Sequence, residues 1–111
     1  AGIAPAERRG ALDSLTRAGV VSDERLARAR AGLLAERGEG DGAIRWRLEG
    51  EGMAAELVER ALGELEPEAA RAGRIVARRG ATDTTARVLA RRGFSWDAIE
   101  AALEGAAGQT P

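Results

Sequence analysis

The amino-acid sequence predicts an all-α protein, on three observations. Apolar residues recur at helical spacing along the whole chain, and no segment sustains a period-two alternation. Strands have little to build from, with one Phe, no Tyr and few runs of β-branched residues. Glycines and cap residues then cut the pattern into short segments of helical length.

Seven helices follow in order. The first covers 5–18, with Pro5 in the first turn, where a missing N–H costs nothing. Ala11, Leu12, Leu15 and Ala18 form its apolar stripe, and Gly19 is placed to stop it in a left-handed conformation. Ser22 caps the second, Asp23 and Glu24 favour its positive end, and Leu26, Ala27, Arg30, Leu33 and Leu34 carry it to Gly38. The third, 41–51, sets Ile44 and Leu48 one turn apart, and the fourth, 54–65, carries Leu57, Val58, Ala61, Leu62 and Leu65. Pro67 opens the fifth, with Ala69, Ala72, Ile75 and Val76 inward and Gly80 beyond its end. Thr82 or Asp83 caps the sixth, which turns Leu89 inward and stops at Gly93. Ser95 caps the seventh, whose inward residues are Ile99, Ala102 and Leu103; Phe94 and Ile99 bracket the cap as a hydrophobic staple. The tail from Gly105 onward reads as frayed, leaving 106–111 outside the last unit. The expected core is Leu26, Leu34, Ile44, Leu48, Val58, Leu62, Ile75, Leu89, Ile99 and Leu103.

Aligning the glycines exposes an internal repeat. Gly2-Ile3, Gly52-Met53 and Gly93-Phe94 each put a large apolar residue directly after glycine, and Ala11-Leu12, Ala61-Leu62 and Ala102-Leu103 follow at matching distances. Leu48 and Leu89 stand equally far before their glycines, and Ala27 and Leu34 before Gly38 match Ala69 and Val76 before Gly80. The expected architecture is therefore a tandem pair of three-helix repeats, 22–66 and 67–105, after one leftover helix of an incomplete first repeat in 1–21. That leftover helix should leave the apolar side of Leu12 and Leu15 partly uncovered, and a chain that opens on Ala1 fits a processed or truncated piece.

Composition narrows the function classes. Histidine, lysine, tyrosine and cysteine are all missing, which removes the commonest general base, the Schiff-base amine, the phenol and the thiol nucleophile together. Ser14, Ser22 and Ser95 lack an evident base, so no catalytic residue is assigned and an enzyme is not expected. No metal site and no cofactor are expected either, because thiolates are absent and Glu36, Glu39 and Asp41 lack calcium-loop spacing. Gly38-x-Gly40-x-Gly42 has neither the preceding strand nor the lysine of a phosphate loop, and reads as a flexible turn between helices. No apolar run is long enough to cross a bilayer and no secretory leader is seen, so a cytoplasmic location without membrane contact is the expectation. Seventeen arginines face eighteen acidic residues. That balance disfavours a globally basic nucleic-acid binder but permits a local basic stripe.

Three stretches resemble the RecX family of recombination regulators. They are Gly19-Val20-Val21-Ser22-Asp23-Glu24-Arg25-Leu26-Ala27; then Arg37-Gly38-Glu39-Gly40 with Ile44-Arg45-Trp46-Arg47-Leu48 and Gly52-Met53; and Leu89-Ala90-Arg91-Arg92-Gly93-Phe94-Ser95-Trp96-Asp97-Ala98-Ile99. The resemblance implies tandem three-helix repeats that lie in the groove of a RecA–DNA filament and restrain its activity. The implied partner is the RecA filament, and DNA through the filament, with no small-molecule substrate.

Candidate contact residues follow from charge and exposure. Arg45 and Arg47 flank the Ile44–Leu48 stripe, and Trp46 projects roughly opposite it. Such a set can anchor an interface or stack on a base, or simply form a solvated face with the indole on a neighbouring repeat. Arg78-Arg79 and Arg91-Arg92 occupy equivalent positions near two helix carboxyl ends. There they offset the helix dipole, and they are also placed to meet DNA phosphate or an acidic protein surface. The competing readings are a general helical adaptor for another protein and a small helical DNA-binding module. A basic stripe on one face favours the filament regulator or the DNA-binding module, while scattered arginines favour the adaptor.

Overall fold

The computed structural model describes residues 5–108, with side chains described from Arg17 onward except at 18 and 20. Six α-helices and no strand occur among the described residues: α1 (Pro5–Glu36), α2 (Asp41–Gly50), α3 (Ala55–Glu64), α4 (Glu68–Arg79), α5 (Asp83–Arg91) and α6 (Trp96–Gly108). The all-α class holds. The number of helices does not, because the first two expected helices are one.

Gly19 does not stop a helix and Ser22 does not cap one; α1 runs through both for 32 residues. Gly19 is not among the glycines with positive φ, which are Gly38, Gly52, Gly80 and Gly93. An interior glycine costs a helix about 1 kcal/mol, whereas a break would expose up to four amides and four carbonyls to be capped anew. Arg17, Gly19, Val21, Ser22 and Asp23 are all exposed, so a turn here would gain no buried surface. Leu26 was expected in the core and is 52% exposed for the same reason: α1 meets its neighbours on the Ala27–Ala31–Leu34 stripe instead. The other expected core residues are buried apart from Leu103, which is half-buried against its cluster. Leu12 and Leu15 lie outside the described side chains. At the far end Gly105 and its neighbours do not fray, because α6 continues to Gly108 with Ala106 packed on the second core.

Two cores hold the chain, each built by three helices. Ala27, Ala31 and Leu34 of α1 meet Ile44 and Leu48 of α2 and Val58, Ala61 and Leu62 of α3. Ala72, Ile75 and Val76 of α4 meet Leu89 of α5, Phe94, and Ile99 and Ala102 of α6. Three of the four positive-φ glycines among the described residues close helices in the same way. The amides of Glu39, Met53 and Phe94 reach back to the carbonyls of Leu34, Leu48 and Leu89, each at 3.1 Å. This is the six-to-one bond of a Schellman turn, which requires a left-handed residue and therefore glycine at Gly38, Gly52 and Gly93. Thr82 caps α5 by accepting from the Thr85 amide at 3.2 Å, and Ser95 Oγ accepts from the Ala98 amide at 3.2 Å at the start of α6.

The helix pairs that pack closely all lie within one unit, so the joint between units is made by turns. The Gly40 amide donates to the Arg92 carbonyl at 2.8 Å and the Gly42 amide to the Gly93 carbonyl at 3.0 Å. A side chain at Gly40 would run into the Phe94 backbone, and one at Gly42 into the Gly93 carbonyl. The glycine-rich stretch expected to be a flexible turn is thus a fitted backbone contact. In the second unit Thr82 and Thr84 stand where the first has Gly40 and Gly42, so only the first turn permits this approach.

This geometry predicts opposite outcomes for two glycine-to-alanine changes. Gly40→Ala should destabilise by about 1–3 kcal/mol, as overpacking does. Gly32→Ala, inside α1 with open space around it, should stabilise by up to about 1 kcal/mol. Urea unfolding of both variants, followed by circular dichroism, measures the contrast.

Candidate functional site: an arginine cleft at the joint

The joint carries two charged groups of different character. In one, helix amino ends gather around a carboxylate. Glu68, the first residue of α4, accepts the Asp41 amide at 2.7 Å and the Ser95 hydroxyl and amide at 2.6 and 3.3 Å. One carboxylate thereby serves the starts of α2, α4 and α6, where the helix dipole favours negative charge. Beside it lies Arg71, only 5% exposed. Its Nε donates to the Glu66 carbonyl at 3.0 Å, its Nη1 to the Glu39 carbonyl at 3.1 Å and its Nη2 to the Asp41 carboxylate, while its guanidinium sits 5.9 Å from the Phe94 ring centroid. Arg71 therefore ties the turn of the first unit, the linker and the second core together. Sequence reading missed both residues. Arg71 carried a usable signal, since it falls one turn before Ile75 on the inward stripe of α4, where an unpaired guanidinium would be costly.

In the other, three helices present their carboxyl ends: α1 at Glu36, α4 at Arg79 and α5 at Arg91. Glu36, Arg37, Gly38, Ile75, Arg78, Arg79 and Arg92 line an open cleft of about 410 Å³ there. The Arg92 guanidinium lies over Gly38, close enough that a side chain at that glycine would displace it. None of Arg37, Arg78, Arg79, Arg91 and Arg92 takes part in an ion pair among the described residues. Of the residues expected to bind a partner, Arg78, Arg79 and Arg92 come together here; Arg91 is exposed on the adjoining turn; Arg37 joins them unforeseen.

Arg45 and Arg47 behave differently. Arg45 Nε donates to Glu59 at 2.5 Å, joining α2 to α3, and Arg47 Nη2 donates to Glu39 at 3.1 Å. The Glu59 bond raises the Arg45 pKa above its ordinary value, and the same bond lowers that of Glu59. Arg30 and Glu51 form a second such pair, at 2.5 Å between Nη2 and Oε1, with the Glu51 carboxyl lowered chiefly by that hydrogen bond. Both pairs are solvent-exposed, so solvent and salt screening leave each little weight in stability. Trp46 is 80% exposed and packs on no neighbouring unit; Trp96 is 62% exposed beside Asp83, Ala86, Arg87 and Ala90.

Among the described residues no cluster of acidic side chains is placed to hold a metal ion, and no helix is long and apolar enough to cross a membrane. No family's sequence model matches the chain, and no curated protein matches it at a significant level.

Arg71→Met should cost about 3 kcal/mol or more, because it strands the Asp41 carboxylate and the two carbonyls it serves. Arg45→Ala should cost less than about 1 kcal/mol. The pairs also set a pH response. A carboxylate with a lowered folded pKa contributes stability above its unfolded value, and that contribution is lost as pH falls through the folded value. Carboxyl NMR titration should place Glu51 and Glu59 below the ordinary glutamate range, and Arg45→Ala should return Glu59 alone to it.

Proposed function

We propose that this protein is a RecX-like cytoplasmic regulator that binds the RecA–DNA filament and restrains recombination and DNA repair. The supporting observation is the gathering of Arg37, Arg78, Arg79 and Arg92 in one cleft between two three-helix units, with none of the four in an ion pair among the described residues and Glu36 the one acidic residue in the lining. An adaptor needs no such concentration. A chain of formal net charge −1 that nonetheless brings four arginines, unpaired among the described residues, into one cleft has a surface suited to an acidic partner. The described residues span 79 × 25 × 19 Å, a shape that suits lying along a polymer. The sequence stretches that resemble RecX supply the identity of that polymer. Arg91 adjoins the cleft, and Trp46 offers a separate exposed anchor on α2.

The two sets of arginines should differ in effect. Arg78→Ala with Arg79→Ala, and Arg91→Ala with Arg92→Ala, should each weaken filament binding strongly. Arg45→Ala with Arg47→Ala should weaken it less, because those side chains are already engaged by Glu59 and Glu39. Binding should also weaken with added salt, since exposed charges are screened within ~8 Å at physiological ionic strength. Co-sedimentation with RecA filaments, together with RecA-catalysed strand exchange, measures both. Wild-type binding by the two cleft variants would remove the arginine mechanism.

A further inference from the structure

We infer that the cleft at the joint is an anion site for a phosphate group, held by guanidiniums from both three-helix units. This deepens the reading above, and it rests on that reading for the cleft being the contact surface. The argument is one of charge. Arg37 comes from the end of α1, Arg78 and Arg79 from the last turn of α4, and Arg92 from the end of α5. Cations at helix carboxyl ends have a structural purpose, because each end carries roughly half a negative charge. Three such ends supply about −1.5, and Glu36 supplies one charge more. Four guanidiniums exceed that sum by roughly one and a half positive charges. No other carboxylate lines the cleft.

That excess makes the cleft locally electropositive and attractive to an anion. Arginine presents a planar fork of N–H donors that matches the oxygens of a phosphate, which is why clustered arginines recognise it. The cleft also has room, at about 410 Å³, and Glu36 is the one acidic side chain in its lining. A phosphate oxygen held by Arg37 on one side and by Arg78, Arg79 or Arg92 on the other would bridge the two units. The same chemistry could come from free phosphate or from the diester backbone of a nucleic acid.

NMR titration of the chain tests this without RecA. Inorganic phosphate should shift the Gly38 amide and the Nε–H signals of Arg78, Arg79 and Arg92 saturably, while chloride at equal ionic strength should not. Arg78→Gln with Arg79→Gln should weaken phosphate binding by about tenfold or more, the equivalent of losing one charge-assisted hydrogen bond. Arg37→Gln should weaken it as well, and Arg28→Gln with Arg60→Gln, whose side chains pair with Glu64 and Glu24 away from the cleft, should leave it unchanged. A short oligothymidylate that shifts the same signals at lower concentration identifies a nucleic-acid backbone as the source; a response to phosphate alone identifies a free anion. Non-saturable shifts, or shifts equal to those in chloride, would overturn the site. So would an Arg37→Gln variant that binds as tightly as wild type, because the site would then not be shared. RecA co-sedimentation is scored separately, so a protein contact without phosphate binding and phosphate binding without RecA remain distinct results.

Discussion

Two backbone hydrogen bonds, from Gly40 to Arg92 and from Gly42 to Gly93, decide how this molecule is put together. They need glycine at both donors, because a side chain at either would strike the facing turn. Once made, they bring the buried Arg71 and several partly buried or exposed polar groups together. Glu68 accepts from Asp41 and Ser95, and Arg71 takes up the Glu39 and Glu66 carbonyls and the Asp41 carboxylate. Neither core contributes helix-on-helix packing of any extent across the joint. The link is polar and close-fitting, and so depends on geometry more than on buried area.

The same joint creates the charged cleft. Turning Gly40 and Gly42 onto the Arg92–Gly93 turn sets the end of α1 beside the ends of α4 and α5. Arginines that would each balance one helix dipole are thereby concentrated, while Glu68 serves the starts of α2, α4 and α6. Function and architecture share a cause here, since the contact that orients the units also assembles the surface proposed to meet a partner.

How far the sequence disclosed this depends on the kind of signal. The α2 to α6 segments were legible because their apolar spacing agrees with their caps: Thr82, Ser95 and the glycines after Leu48 and Leu89 all act as their positions indicate. The Gly19–Ser22 break was misread, because stop and start residues act only when tertiary contacts reward the turn, and that segment is exposed. Arg78, Arg79 and Arg92 were identifiable from helix-end position, but their convergence with Arg37 was not, since it follows from contacts across about forty residues or more. Glu68 and Arg71 were hidden in a helix read only for its apolar stripe. Arg45 and Arg47 looked like free cations because their partners, Glu59 and Glu39, become neighbours only after folding.

The central claim is that the polar joint makes two small cores behave as one body. Native-state hydrogen exchange measures this most directly, by comparing the best-protected amides around Val58 with those around Ile99. The account predicts one shared opening free energy for both cores in the wild-type chain, and separate values once Arg71→Met has loosened the joint. Two different free energies in the wild type, with the Val58 core unmoved by Arg71→Met, would contradict it.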